Sequence, residues 1–263
     1  AESAPDVIGI APGADLEQFK SQLEPLAGYA AKDLGDDWKD KFTEASFTTI
    51  ALSGDEIYAF PSAMSASGTI WYNNKLMTES GVDTFPATWE EMKSVAETLR
   101  GAGQIPLMFG GKDNWQNYDM FLTIMATINK DLCNDIFALE GSWTEEDVVK
   151  AFDYYQKLFT DGIVQDGALS TTIYNEGYSQ WKDDDGNSTI PMIFNGSWDM
   201  GSLKAENSFY ENFSSNDIRV GLMPSIEGKE GAVLTAPDVA WGVNANSANK
   251  EAAWEFVKWL CYD

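Results

Sequence analysis

The sequence has 263 residues, of which 44% are hydrophobic, enough to bury a sizeable core in one large domain or in two lobes. Acidic residues outnumber basic residues by 42 to 17, and the formal net charge of -25 would repel nucleic acid and anionic lipid. Histidine is absent, which removes the most frequent general base and metal ligand. The composition therefore favours binding of an uncharged ligand over catalysis, and we expect neither a metal ion nor another cofactor.

Short apolar runs alternate along the chain with segments of helical periodicity, which indicates an α/β fold. In the first half, the predicted elements are a strand over 5–11, a helix over 16–31, a strand over 68–73, a helix over 89–100 and a strand over 105–110. The helix over 89–100 has the clearest signal, because Thr88 and Glu91 form a capping box directly after Pro86.

The second half of the chain continues the alternation. Thr144, with Asp147 three positions later, predicts the start of a helix that ends at Gly162. The expected apolar stripe of this helix consists of Val148, Phe152, Tyr155 and Phe159. The later predicted elements are strands over 189–195, 218–223 and 239–244, and a helix over 247–260 with Ala253, Phe256, Val257 and Leu260 on its buried face.

Two short patterns that could carry chemistry are weak. Cys133 and Cys261 match no CxxC spacing, which favours two unpaired, mostly buried thiols over a disulfide. The run 183–187, Asp-Asp-Asp-Gly-Asn, imitates the start of a calcium loop but lacks the glycine and the acidic residue that such a loop requires later. We therefore predict a solvated turn at 183–187 and no metal site.

Tryptophan is unusually frequent, with ten residues in the chain. We expect Trp89, Trp254 and Trp259, which lie on predicted helical faces, to pack in the core. Trp115, Trp198 and Trp241 instead follow strand-like runs or lie near their ends, beside polar residues or glycine. An indole packs on the apolar face of a sugar ring, and open α/β sheets bind ligands where their strands end. Core packing remains the alternative for these three.

Three stretches of the chain resemble one protein family. They are IYAFPSAMSASGTIWYNNKLMTESGVDTFPATWEEMKSVAETLRGAGQIPLMFGG (57–111), STIPMIFNGSWDMGSL (188–203), and IRVGLMPSIEG (218–228) with VAWGVNANSANKEAAWEFVKWL (239–260). Together they are similar to the family-1 extracellular solute-binding proteins of bacterial ABC importers, which include the maltose-binding type.

The resemblance implies a two-lobed, periplasmic-binding-protein-like (type II) α/β fold with an interlobe ligand cleft. The first lobe would comprise 1–70, the second 71–236, and the chain would return to the first lobe over 237–263. Compared with the family, we expect elements to be missing at both ends. These are the opening strand and helix of the first lobe and the closing helices of the second.

The resemblance also implies a function. The chain would be the extracytoplasmic substrate-binding component of an ABC transporter, a monomer that binds a sugar or oligosaccharide by hinge closure and delivers it to a membrane permease. It would not be an enzyme. We expect a cell-surface lipoprotein or a periplasmic protein whose signal peptide lies outside this sequence.

Candidate ligand-binding residues follow from positions that match the family. Trp198 corresponds to the tryptophan of an Asn-Gly-x-Trp turn that typically stacks on a sugar ring, and Trp115 and Asp113 to an aromatic residue and an acid that commonly face the cleft. Ser62 and Ser65 correspond to the segment after Pro61 that lines it. Asp238 and Trp241 correspond more weakly, to the approach of the returning strand.

Other functions remain open from the residues themselves. A glycoside hydrolase or lyase would also use aromatic residues and carboxylates, but it needs two carboxyl groups about 5 to 9.5 Å apart across one bond. No motif points to such a pair. A binding protein for a non-sugar solute and a surface adhesin or scaffold are further alternatives.

Overall fold

The computed structural model describes residues 4–47, 49–51, 56–138, 140–178, 185, 187–204 and 217–262. The chain forms two compact units. Unit 1 comprises Ala1–Ser65 and Thr235–Asp263, and unit 2 comprises Ala66–Leu234. The lobe boundaries expected at 70 and 236 stay a prediction.

Helices and strands are interspersed along the described chain. The strands are β1 Val7–Ile10, β2 Ala59–Pro61, β3 Met64–Ser67, β4 Thr69–Asn73, β5 Leu107–Met108, β6 Met192–Asn195, β7 Ile218–Leu222, β8 Leu234–Pro237 and β9 Ala240–Val243. The α-helices are α1 Ala14–Phe19, α2 Ala27–Leu34, α3 Asn74–Glu79, α4 Trp89–Gly101, α5 Asn114–Ile128, α6 Lys130–Phe137, α7 Glu146–Thr160 and α8 Lys250–Cys261. The mixture confirms the predicted α/β class, although several strands are shorter than predicted.

Unit 1 is built on a three-stranded sheet with the order β1-β9-β2. The central strand β9 is antiparallel to both neighbours, so that Trp241 lies opposite Gly9 on one side and Phe60 on the other. Phe60 and Trp254 are fully buried in the core, with their ring centroids 5.2 Å apart. This contact joins β2 to α8.

The single helix predicted over 16–31 is wrong, because the segment forms two helices, α1 and α2, with a break between them. Pro25 lies in the break, where its missing N–H and fixed φ oppose continuation of a helix. The neighbouring amides bond to other parts of unit 1 instead: Glu24 N donates to Val243 O and Leu26 N to Ile57 O. Long-range backbone pairing therefore replaces a helical turn.

Unit 2 contains a four-stranded sheet with the order β5-β6-β4-β7. Strand β6 is parallel to β5 and antiparallel to β4, and all four of its residues are buried. Helix α5, which the sequence analysis did not predict, is buried at every position from Met120 to Ile128. A helix that is apolar on all sides lacks the periodicity that identifies a surface helix. A separate two-stranded sheet pairs β3 with β8.

One of the two predicted helix caps is confirmed. The Thr88 hydroxyl accepts from Glu91 N, and the Glu91 carboxylate accepts from Thr88 N, which completes the capping box of α4. The cap predicted at Thr144 is wrong, because α7 begins after Glu145 and the Asp147 carboxylate accepts from the side-chain amide of Asn129. Asn129, which lies between α5 and α6, therefore bonds to the acid that was predicted to cap α7 locally.

The predicted burial of aromatic residues is partly correct. Trp89 and Trp254 are buried as expected, but Trp259 is 61% exposed, so its assignment to the core is wrong. In α8, Ala253, Trp254 and Val257 form the buried face, which leaves Trp259 and the likewise exposed Phe256 on the opposite side. Exposed aromatic side chains also mark the α5–α7 aromatic face of unit 2, which we define as Tyr118, Trp143 and Phe152.

Both cysteines are unpaired, as predicted, and burial raises the pKa of each thiol to about 12. Within the described ranges, no group of three or more acidic or cysteine side chains could hold a metal ion. Most of the run 183–187 lies outside the described residues. A search of the described part of the chain for a helix long and apolar enough to cross a membrane finds none.

The two threonines at the helix starts provide a matched test. We expect Thr88→Ala to lower the free energy of unfolding of unit 2 by about 1 kcal/mol, because it removes a side-chain cap. Thr144→Ala removes no bond to a helix amide and is expected to have less than half of this effect. Urea unfolding followed by circular dichroism measures both changes. Equal destabilisation by the two substitutions would contradict the assignment of the caps.

Candidate functional site

The end of strand β6 determines the position of Trp198. The strand ends at Asn195, Gly196 follows, and a 3-10 helix begins at Ser197. The indole of Trp198 folds back over Gly196 so closely that a β-carbon there would lie 2.3 Å from its ring carbons. The Asn-Gly-Ser-Trp sequence therefore has a steric basis, since only glycine leaves room for the ring in this position.

Three aromatic side chains meet at this end of the sheet, and we call Trp115, Tyr174 and Trp198 the aromatic platform. Trp115 lies in the first turn of α5. Its ring stacks with that of Tyr174 at a centroid distance of 6.2 Å and an interplanar angle of 21°. The Trp115 and Trp198 rings meet edge to face at 5.6 Å. Trp115 is 36% exposed and Tyr174 44% exposed, so aromatic surface remains accessible for a ligand.

A chain of hydrogen bonds runs beneath the platform. Trp198 Nε1 donates to Asn195 Oδ1 at 2.8 Å and to Tyr174 Oη at 2.9 Å. Asn195 Nδ2 donates to Tyr178 Oη at 2.9 Å, and that hydroxyl donates to Asp199 Oδ1 at 2.7 Å. Burial, reinforced by the Asp199 carboxylate, raises the pKa of Tyr178 far above its usual value. The phenol is therefore neutral and keeps its hydrogen.

Asp113 lies beside the platform, but part of its carboxylate has a structural role. Asp113 Oδ2 accepts from the backbone amide of Ile173 at 2.7 Å. Ile173 begins a π-helical turn over Ile173–Gly177 that contains Tyr174. Asp113 therefore connects the loop before α5 to the turn that places Tyr174 against Trp115.

A buried glutamine fixes the start of α5. Gln116 Oε1 accepts from Gly110 N at 2.7 Å, and Gln116 Nε2 donates to Phe194 O at 2.9 Å. The first bond holds the loop that follows β5, and the second reaches the strand that leads to Trp198. Gln116, the residue after Trp115, is thus bonded to the strand that ends just before Trp198.

Two charged side chains near the platform, Lys112 and Glu176, form an ion pair. Lys112 Nζ lies 3.6 Å from the Glu176 carboxylate. Glu176 also accepts from Thr172 N, and this backbone hydrogen bond, the largest contribution, lowers the pKa of the Glu176 carboxyl. The platform consequently has no unpaired cation of its own among these residues to attract an anionic ligand.

The other candidate residues lie in unit 1 or at its boundary. The amide and the hydroxyl of Ser62 donate to Val239 O, and Asp238 N donates to Ala63 O, so Ser62 and Asp238 lie close together beyond the paired ends of β2 and β9. The Asp238 side chain is exposed. Ser65 is half-buried in β3.

Trp241 is half-buried on β9, where its ring lies over Gly9 and packs against the core of unit 1. The structure therefore brings Trp115, Trp198 and Asp113 together in unit 2 and Ser62 with Asp238 in unit 1. Trp241 is placed against a core.

Sequence reasoning missed three residues of the platform and its support. Asn195 lies within the Asn-Gly-Ser-Trp stretch that the resemblance identified, but no role was assigned to it. Tyr174 and Tyr178 lie four positions apart, the spacing that places two side chains on one face of a helical turn. That spacing was the available signal, although it could not reveal that Asn195 lies between the Tyr178 hydroxyl and Trp198.

Comparisons with known proteins agree with the resemblance. Residues 1–261 match the family described as "Bacterial extracellular solute-binding protein". The maltotriose-binding protein of Pyrococcus abyssi is 27% identical over 247 residues, which cover 90% of this chain and 46% of that protein. The chain spans about half the length of the curated relatives that it matches over most of its own length.

Solved structures establish the fold. A chitin oligosaccharide binding protein superposes with a TM-score of 0.80 at 22% identity, covering 99% of this chain and 62% of that one. A structure reported for xylan utilization by Caldanaerobius polysaccharolyticus gives a TM-score of 0.82 at 23% identity, covering 99% and 64%. The predicted periplasmic-binding-protein-like (type II) fold is confirmed. With its family match over 1–261, the chain belongs to the bacterial extracellular solute-binding protein family.

Proposed function

We propose that this chain is the substrate-binding component of an ABC transporter and that it binds an uncharged sugar or oligosaccharide on the aromatic platform. The observation that carries the proposal is the accessible surface of Trp115, Tyr174 and Trp198, three rings in contact at the end of a sheet. The C–H faces of sugar rings pack on such surfaces, while the hydroxyl groups bond to polar atoms at the edge.

The paired charges support an uncharged ligand. Lys112 and Glu176 neutralise each other beside the platform, and the chain as a whole has a net charge of -25. A ligand with phosphate or carboxylate groups would be repelled by this field and would find no dedicated cation among the platform residues that the structure describes. A neutral carbohydrate avoids both costs.

The names of similar proteins support the ligand class. They refer to maltotriose in one relative, to chitin oligosaccharides in one solved structure and to xylan utilization in another. Those ligands differ in linkage and in substituents. We therefore take carbohydrate as the proposed class and use all three kinds as probes.

Unit 1 would contribute further ligand contacts through Ser62, Ser65, Asp238 and Trp241. Its hydroxyl and carboxylate groups could bond to sugar hydroxyls, and a wrong sugar that left one unpaired would lose about 1 to 3 kcal/mol. Binding would proceed by hinge closure. To move such an equilibrium from 1:99 to 99:1, the ligand must favour the closed state by about 5.5 kcal/mol.

Delivery to a membrane permease completes the proposed function. The protein would act outside the cytoplasm as a monomer, as a surface lipoprotein or in the periplasm. The family consists of binding proteins, which agrees with a role without catalysis. Incubation with maltotriose, chitotriose and xylotriose, followed by an assay for new reducing ends, tests this role directly. Steady release of product would identify an enzyme.

Trp198 gives the first test of the platform. We expect Trp198→Ala to weaken sugar binding at least about tenfold, because the loss of a buried aromatic contact costs more than about 1.4 kcal/mol. Isothermal titration calorimetry with the three trisaccharides measures the affinity. Trp115→Ala should weaken binding in the same direction.

Trp259→Ala is the matched control, since this tryptophan is exposed on α8 in unit 1. Its affinity for sugar should equal that of the unsubstituted protein. If folded Trp198→Ala protein kept full affinity for sugar, Trp198 would not belong to the binding site.

The glycine beneath the indole gives a second test that removes no aromatic atom. Gly196→Ala places a methyl group where the Trp198 ring lies, so the ring must move, and we expect altered near-ultraviolet circular dichroism and weaker sugar binding. Gly201→Ala, in the 3-10 helix that follows Gly196, is the control, because a β-carbon there meets nothing within 4 Å. Equal spectra and affinities for both variants would contradict the placement of the ring.

A further inference from the structure

The orientation of the Asn195 amide is determined by its neighbours. An indole N–H can only donate a hydrogen bond, so the atom of Asn195 that faces Trp198 Nε1 must be the carbonyl oxygen. The same oxygen accepts from Gly196 N at 3.0 Å, which supports this orientation independently. A flipped amide would direct its NH₂ group at two other donors.

This orientation determines the direction of the remaining bonds. With Asn195 Oδ1 on Trp198, Asn195 Nδ2 must face Tyr178 Oη, which therefore accepts one hydrogen bond. The hydroxyl hydrogen of Tyr178 then points to Asp199 Oδ1, its acceptor at 2.7 Å. The donors thus run in one direction, from the indole through the amide and the phenol to a carboxylate.

Because three of its members are buried, each hydrogen bond of the network requires its protein partner. Asp199 is fully buried, Asn195 is 1% exposed and Tyr178 is 6% exposed. Water is therefore a poor substitute for a missing partner, and an unpaired polar group at this depth is costly. By contrast, Trp198 is half-buried and its ring borders solvent. The buried members of the network therefore lie beneath the Trp198 ring, which would contact the ligand.

We propose that Tyr178 and Asn195 are positioning residues, which hold the indole of Trp198 in the orientation that binds sugar through a relay anchored on Asp199. The inference rests on the proposed role of Trp198 in binding. In the relay, neither residue needs to contact the ligand. Because Trp198 Nε1 also donates to Tyr174 Oη, the relay fixes the relative orientation of two rings of the platform.

Tyr178→Phe tests the relay while keeping the aromatic ring. The substitution leaves Asn195 Nδ2 and Asp199 Oδ1 without the hydroxyl between them, so the amide is held only through its oxygen and is no longer anchored on Asp199. We expect affinity for whichever of maltotriose, chitotriose and xylotriose binds to fall roughly fivefold to thirtyfold, the effect of one buried hydrogen bond. The indole N–H resonance of Trp198, assigned with Trp198→Phe, should move in ¹⁵N-labelled protein.

Tyr155→Phe is the matched control. Its hydroxyl is part-buried in unit 2 and, like that of Tyr178, donates a hydrogen bond of similar length, 2.6 Å, to a side-chain oxygen, Asn117 Oδ1. This substitution should lower stability while leaving both the Trp198 resonance and the affinity for sugar unchanged. If Tyr178→Phe behaved like Tyr155→Phe in these two measurements, the relay would be wrong.

A measurement on the unsubstituted chain covers the case in which Tyr178→Phe does not fold. The relay predicts that the indole hydrogen of Trp198 exchanges with solvent at least roughly tenfold more slowly than that of the partly exposed Trp115. Equal exchange rates would overturn it. Failure of all three sugars to bind would count against the proposed function alone, because slow exchange and the shifted resonance can be observed without any ligand.

Discussion

The burial of strand β6 is the constraint on which the aromatic platform of unit 2 depends. Its four residues have no exposed face, and β5 and β4 pair with it on its two sides. The strand cannot slide without exposing apolar side chains and breaking both sets of hydrogen bonds. Trp198 follows only three residues after the end of this strand. The short distance along the chain allows a flexible aromatic side chain to be held in one place.

Beyond the end of β5, buried side-chain amides form the backbone hydrogen bonds that a neighbouring strand would otherwise form. Strand β5 is only two residues long, and the next residue, Phe109, has both of its backbone groups bonded to the amide of Gln165. The side-chain oxygen of Gln116 then accepts a hydrogen bond from the backbone amide of Gly110. An amide can donate and accept at once, so it replaces a neighbouring strand without adding a further layer of chain.

The sequence alone was sufficient to predict structure that depends on neighbouring residues along the chain. The capping box of α4 involves residues three positions apart, and it was predicted correctly. The same pattern failed at Thr144, because Asn129, which lies between α5 and α6, bonds to the acid. Periodicity failed for α5, which is buried at every position from Met120 to Ile128.

The site shows the same division between local and long-range information. Trp115 and Trp198 could be selected from their places after strand-like runs. The role of Asn195 depends on a tyrosine seventeen positions away, and a single sequence contains no signal for that contact.

The α5–α7 aromatic face has a consequence for the behaviour of the protein in solution. Tyr118, Trp143 and Phe152 each have about half of their surface exposed, and such rings on neighbouring molecules attract one another. At neutral pH, repulsion between chains with a net charge of -25 opposes their approach. Near the isoelectric point of about 4.1, most of this repulsion is lost. We therefore expect association through this face to increase as the pH falls toward this value.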